Sequence, residues 1–344
     1  MRRQFWSFGL VALGVACGGS PPPEPVEPEA PIAEAPVAVE PVEEAPAPPA
    51  EPTKEELAAQ KLVKDFAEME ASADAEDKRW TPELRAEAKK LAETKYANLS
   101  VALKAVLKGG HRTPGHAERD AARHPAETLA FFGVKPGMKV LEYGPGEGWY
   151  TEVLAPTLAT SGMLYVTSGD PAGPRTVRGT MYAQRTQRFL KKAPEVYGKV
   201  QPIIVDSKAP DLKLDGELDM VLVVRGMHGW HRDGQVDVWL QQIFKSLKKG
   251  GVLGVVQHRA KADANPDEST KQGYLPEAFV VERAQAAGFK LSKKSEINAN
   301  PKDTTEHPEG VWTLPPTLRL GDKDREQYTA IGESDRMTLR FVKP

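Results

Sequence analysis

Residues 140–148, VLEYGPGEG, constrain this chain more than any other stretch. An apolar run ends in an acidic residue and then breaks into a loop with glycine at every second position: Gly144, Gly146 and Gly148. Glycine has no Cβ, so it reaches positive φ at little cost and lets a ligand approach the backbone closely. Residues 149–156 then take up a helical pattern. Strand, glycine loop and helix start together form the ligand-binding corner of an open α/β sheet. A turn that only packs helix on strand is the alternative. A dinucleotide fingerprint, G-x-G-x-x-G, would need glycine at 149, where Trp149 stands. The pattern here is E-x-G-x-G-x-G, led by Glu142.

The rest of the chain alternates around this corner. Short apolar runs predict strands over 138–143, 163–168, 199–204, 218–224, 251–257, 289–296 and 337–343. Helices are expected at 148–160, 176–193, 234–248 and 275–287. Continuous runs such as Met220 to Val224 suit strands buried on both faces of a parallel sheet. The connection 297–336 shows no helix signal, so the last two strands read as an antiparallel pair. Upstream, the spacing of apolar residues predicts one helix over 54–73. Thr81 and Pro82 start a second over 82–107, which Gly109 and Gly110 end. Periodicity leaves open whether these two cap the main domain or form a stalk.

On these residues the chain resembles class I S-adenosylmethionine-dependent methyltransferases across about 111–344. The glycine loop is similar to their motif I, and five parallel strands plus an antiparallel pair match their Rossmann-like seven-stranded sheet, with helices on both faces. The resemblance implies S-adenosylmethionine as cofactor, wrapped by Glu142, Gly144, Pro145, Gly146 and Gly148. It also implies an acidic residue at the second strand tip for the ribose. Ser168 stands at that tip and Asp170 follows two residues later, a departure from the pattern. Asp206 takes the place of the residue near the adenine amino group, and Arg225 joins the cofactor set. A small-molecule methyl acceptor would lie near 225–231 and 258–259, with His228, His258 and Arg259 as candidate catalytic groups. A histidine titrates near working pH and can take a proton from an attacking nucleophile; a structural histidine is the other reading of His228. The runs HRTP (111–114), RHPAETL (123–129), GWYTE (148–152) and IGESDRM (331–337) resemble a subgroup of often exported methyltransferases.

Composition narrows the alternatives. Formal charge is −2 overall. Two arginines open residues 1–20, and eight glutamates without any base fill 21–53, so residues 54–344 carry +4. That excess is too mild to point to nucleic acid. A single cysteine excludes an internal disulfide and a cysteine zinc cluster. No histidine pair has the H-E-x-x-H spacing, so no metal is expected. No serine lies in a G-x-S-x-G context, which argues against a serine hydrolase. A monomer is expected.

The first 20 residues read as a targeting segment: Arg2 and Arg3, then an apolar run too short for the ~20 residues of a membrane span. It ends in Gly14-Val15-Ala16-Cys17, which resembles a bacterial lipobox, with Gly14 where leucine is usual. Residues 21–53 hold 12 of the 30 prolines and read as an extended, disordered tether. The chain is therefore expected in the cell envelope, facing the outer membrane or periplasm and held to the membrane only through Cys17. A secreted or periplasmic soluble form is the alternative. An exported protein would meet little of a cofactor made in the cytoplasm. A non-catalytic, envelope-anchored binding protein on the same fold, or a structural envelope protein, thus stays open beside the enzyme. Metabolic labelling with radioactive palmitate tests the anchor: label is expected on the parent chain and absent from Cys17→Ser, and label on the variant would refute it.

Overall fold

Seven strands form one sheet: β1 (Lys139–Tyr143), β2 (Met163–Ser168), β3 (Gln201–Ile204), β4 (Leu218–Val224), β5 (Leu247–His258), β6 (Lys290–Ser295) and β7 (Arg336–Val342). Their order is β3-β2-β1-β4-β5-β7-β6. The first five run parallel, and β7 lies antiparallel between β5 and β6. This is the expected sheet, with one refinement: the last strand inserts between its two predecessors. The computed structural model describes residues 52–344. The segment expected to direct export, Cys17 and the expected tether through residue 51 lie outside the described residues.

Both faces of the sheet are covered, which is why its central strands read as unbroken apolar runs. Met220 and Leu222 of β4 point into one core with Val140, Val166 and Leu154. Val221 and Val223 point into the other with Leu141, Trp239 and Val255. The helix Thr151–Leu158 packs in the first core, and Val236–Ser246 and Glu277–Ala286 supply the second.

The N-terminal helices cap this domain. Thr53 and Glu56 form a capping box at the start of Lys54–Arg79. That helix runs longer than its periodicity suggests and lies along Arg178–Lys191. Leu62 and Phe66 meet Met181 there, and Asp65, Asp74 and Glu76 pair with Arg178, Arg188 and Lys192. The single helix expected over 82–107 is two, Pro82–Glu93 and Leu99–Val106. Asn98 divides them, because its side chain accepts from the Val101 amide and starts a new helix. The connection after β6 also holds a helix, Arg325–Ile331, and a 3-10 turn, Gly310–Thr313, both missed by periodicity because they are short. Among the described residues no helix is long and apolar enough to cross a membrane.

The glycine loop leaves β1 with φ of 53°, 63° and 83° at Gly144, Gly146 and Gly148. A Cβ at Gly144 would meet nothing within 4 Å, whereas one at Gly148 would lie 2.3 Å from the Phe189 ring. Left-handed backbone costs an L-residue about 1–2 kcal/mol, and overpacking adds about 1–3 kcal/mol. Gly148→Ala should therefore lower stability in urea by more than about 2 kcal/mol and clearly more than Gly144→Ala. Equal losses would show that Phe189 does not constrain the loop.

Candidate functional site

The carboxyl ends of the parallel strands converge on the glycine loop, as expected for a ligand crevice. The Gly144 amide donates to Thr167 Oγ1 of β2 at 2.8 Å, which fixes the loop against the sheet. Glu142, the last buried residue of β1, accepts from Thr151 Oγ1 at 2.7 Å. Burial pushes its carboxyl up to about 7, with the Thr151 hydrogen bond opposing. A cation beside it would hold it ionised.

Asp170 and Asp206 follow β2 and β3 on the same side, and both are exposed. Each folds one oxygen back on its own loop, Asp170 to the Ala172 amide and Asp206 to the Lys208 amide. The other oxygen of each stays available to a ligand.

The tip of β4 leads into a short helix, Met227–Arg232, that carries His228 and His231. His228 faces His258 with ring centroids 5.8 Å apart. Gln257 Nε2 lies 3.3 Å from His228 Nδ1 and also reaches the carbonyls of His258 and Gly273. Two carbonyl acceptors orient that nitrogen as the donor, so His228 accepts at Nδ1 and carries its proton on Nε2. Burial pushes His228 down to about 4. It also pushes His258, which shares a 2.5 Å hydrogen bond with Ser334 Oγ, well below the usual range. Both imidazoles are neutral at physiological pH.

Arg259 stands at the tip of β5 but belongs to a clamp. It pairs with Asp335 at 2.8 Å and Glu296 at 2.7 Å, with Glu277 at 3.5 Å. Carboxylates thus hold the side chain expected to meet a ligand, tying β5 to the segments beside β6 and β7. Arg225 is the opposite case. At φ 58° it occupies the left-handed region, and its side chain makes no ion pair among the described residues.

Sequence reasoning missed Glu152. It is fully buried and accepts from His116 Nδ1 at 2.9 Å, the Thr113 amide at 2.8 Å and Thr113 Oγ1 at 2.5 Å. Arg112 and Lys192 approach to 3.8 Å. Burial pushes this carboxyl up, yet the His116 hydrogen bond and the charges around it hold it below its usual range. The available signal was one acid inside the otherwise uncharged helix segment TEVLAPTL. Beside it opens a cavity of about 680 Å³ bounded by Glu76, His116, Arg119, Glu147, Arg185 and Lys192. Among the described residues no three His, Cys, Asp or Glu are placed to hold a metal ion.

No family model matches the chain, and no curated protein matches it. Solved structures are similar at low identity. A SAM-dependent methyltransferase from Aquifex aeolicus is 16% identical with a TM-score of 0.42, over 66% of this chain and 93% of that one. An S-adenosylmethionine-dependent methyltransferase from Mesorhizobium loti is 11% identical with a TM-score of 0.38, over 60% and 91%. Fibrillarin from Aeropyrum pernix, solved with natively bound S-adenosyl-L-methionine, is 13% identical with a TM-score of 0.37, over 63% and 73%.

Removing one partner of a buried charge network costs about 3–5 kcal/mol. Glu152→Ala should lose stability of that order in urea unfolding, because Lys192, Arg112 and His116 are left without their shared carboxylate. A loss under about 1 kcal/mol would show that the network does not hold the cap.

Proposed function

We propose that this chain binds S-adenosylmethionine and transfers its methyl group to a small-molecule acceptor. The observation that carries this is the E-x-G-x-G-x-G loop, with three left-handed glycines, at the tip of β1 in a sheet of order β3-β2-β1-β4-β5-β7-β6. The residues fit the cofactor. A Cβ at Gly144 would enter open space and one at Gly146 would meet only the Gly144 carbonyl, 4.0 Å away, so the loop leaves a cradle for a ligand. Glu142 would balance the α-ammonium, and Pro145 and Gly148 would shape the loop. Asp170 and Asp206 would serve the ribose and the adenine. The bound cofactor supplies a methyl group made electrophilic by its sulfonium.

The chain's own part is positioning. His228 and His258 stay neutral beside the tip of β4, where His228 donates from Nε2 and orients an acceptor lone pair. Effective molarity from such orientation accounts for a large share of a two-substrate reaction's barrier. No protein base is required when the nucleophile needs no deprotonation. The proline-rich segment and Cys17 support an envelope-anchored member of the exported subgroup; that reading rests on the sequence.

Calorimetry of the full-length protein with S-adenosylhomocysteine tests the proposal. Micromolar binding is expected, and Gly146→Asp should abolish it. Affinity should rise with pH between about 6 and 8, because Glu142 titrates at about 7 and only its ionised form attracts the ammonium. Glu142→Gln should flatten that dependence. Folded protein that binds neither S-adenosylhomocysteine nor S-adenosylmethionine would overturn the enzyme reading.

A further inference from the structure

Three arginines gather around Glu333, and Arg225 stands near them at the tip of β4. Arg119 and Arg123 reach Glu333 at 3.0 Å each, and Arg336 reaches it at 2.8 Å. Arg225 lies within electrostatic range of Glu333, Arg336 and Arg119 but pairs with none of them. Arg123 and Arg336 are almost fully buried. Arg123 Nη2, Arg225 Nε and Arg336 Nε are enclosed without any hydrogen-bond partner.

Arg119 also lies 3.8 Å from Glu147, so two carboxylates among four guanidiniums leave two positive charges. Buried cations without partners are costly, and such groups are ordinarily paired. Guanidinium is the side chain best matched to a phosphate or carboxylate, with donors in a planar fork. Arg225 also holds strained backbone, which persists where surrounding structure enforces it and clusters at ligand clamps. The cluster joins residues 117–123, the tip of β4 and the start of β7. It is set apart from the tips of β2 and β3, where Asp170 and Asp206 stand.

We propose that Arg225, with Arg119, Arg123 and Arg336, forms an anion subsite that takes a phosphate or carboxylate carried by the acceptor. This rests on the methyltransferase reading for the word acceptor, but not for the subsite. The cofactor itself suits the cluster poorly. Its sulfonium and α-ammonium are cations that two excess positive charges repel at close range, and its single α-carboxylate offsets only part of that. An acceptor with an anionic group is drawn in and oriented toward the neutral histidines. Arg225, expected from sequence among the cofactor residues, is reassigned to the acceptor. The segments RHPAETL and IGESDRM gain a shared role, since they supply Arg123, Glu333 and Arg336.

Inorganic phosphate is the probe. It would be titrated calorimetrically into the full-length protein, with and without saturating S-adenosylhomocysteine. Saturable binding is expected in both cases. Arg225→Gln should weaken it at least tenfold while S-adenosylhomocysteine affinity changes less than twofold. Arg225→Lys keeps a charge without the fork and should give an intermediate loss, which covers misfolding of the glutamine variant. Folded parent protein without saturable phosphate binding would overturn the subsite, as would binding unchanged by either variant. Mutual displacement of phosphate and S-adenosylhomocysteine would assign the cluster to the cofactor's carboxylate and also overturn it. Phosphate binding lost in Arg225→Gln, in a protein that never binds S-adenosylhomocysteine, would keep the subsite and remove the methyltransferase reading.

Discussion

The buried carboxylate of Glu152 joins parts of the chain that would otherwise be separate. It sits one turn beyond the glycine loop, on a helix whose every residue is buried. Its partners come from the loop before the sheet, through Thr113 and His116, and from the end of Arg178–Lys191, through Lys192. Lys192 reaches onward to Glu76 of the first helix. The His111 imidazole adds a hydrogen bond to the Glu152 carbonyl. An ionised carboxylate is tolerated at such depth only when it is surrounded by donors and positive charge. Cap, the loop 111–116 and glycine loop therefore share one electrostatic centre, and the cavity beside Glu147 takes its walls from that arrangement.

Around this centre the crevice divides its charges. On the β2 and β3 side, Glu142, Asp170 and Asp206 offer carboxylates. On the β4 and β7 side, three arginines pair with Glu333 and Arg225 stands close by. At the tips of β4 and β5 His228 is half-buried and His258 buried, and both are neutral, kept so by loss of hydration and by the cations nearby. A cationic cofactor and an anionic acceptor would thus be drawn to opposite sides of one crevice. Such sorting of oppositely charged ligands follows from Coulomb attraction in a partly desolvated site.

The sheet was legible because its central strands are buried on both faces, so β1, β4 and β5 appear as apolar runs with clear ends. The glycine loop was legible because positive φ selects glycine at fixed spacing. The insertion of β7 between β5 and β6 was not legible, since strand order among neighbours leaves no mark in either strand. The division at Asn98 was hidden because apolar periodicity continues across it. In the site, Glu142 and the glycines could be named from pattern, whereas Glu152 and Glu333 could not. Most of their partners are remote: His116 and Thr113 lie 36 and 39 residues from Glu152, and Arg123 and Arg119 lie 210 and 214 from Glu333, with only Arg336 close, three residues on. Arg259 looked like a ligand group because its own carboxylates, Glu296 and Asp335, are equally remote.

Co-crystallisation of the full-length protein with S-adenosylhomocysteine tests the central claim most directly. The account predicts density for the amino-acid portion against residues 142–148, with the adenosine extending toward Asp170 and Asp206 and leaving Arg225 free. Density lodged among Arg119, Arg225 and Arg336, or a glycine loop without ligand in crystals where S-adenosylhomocysteine is bound elsewhere, would contradict it.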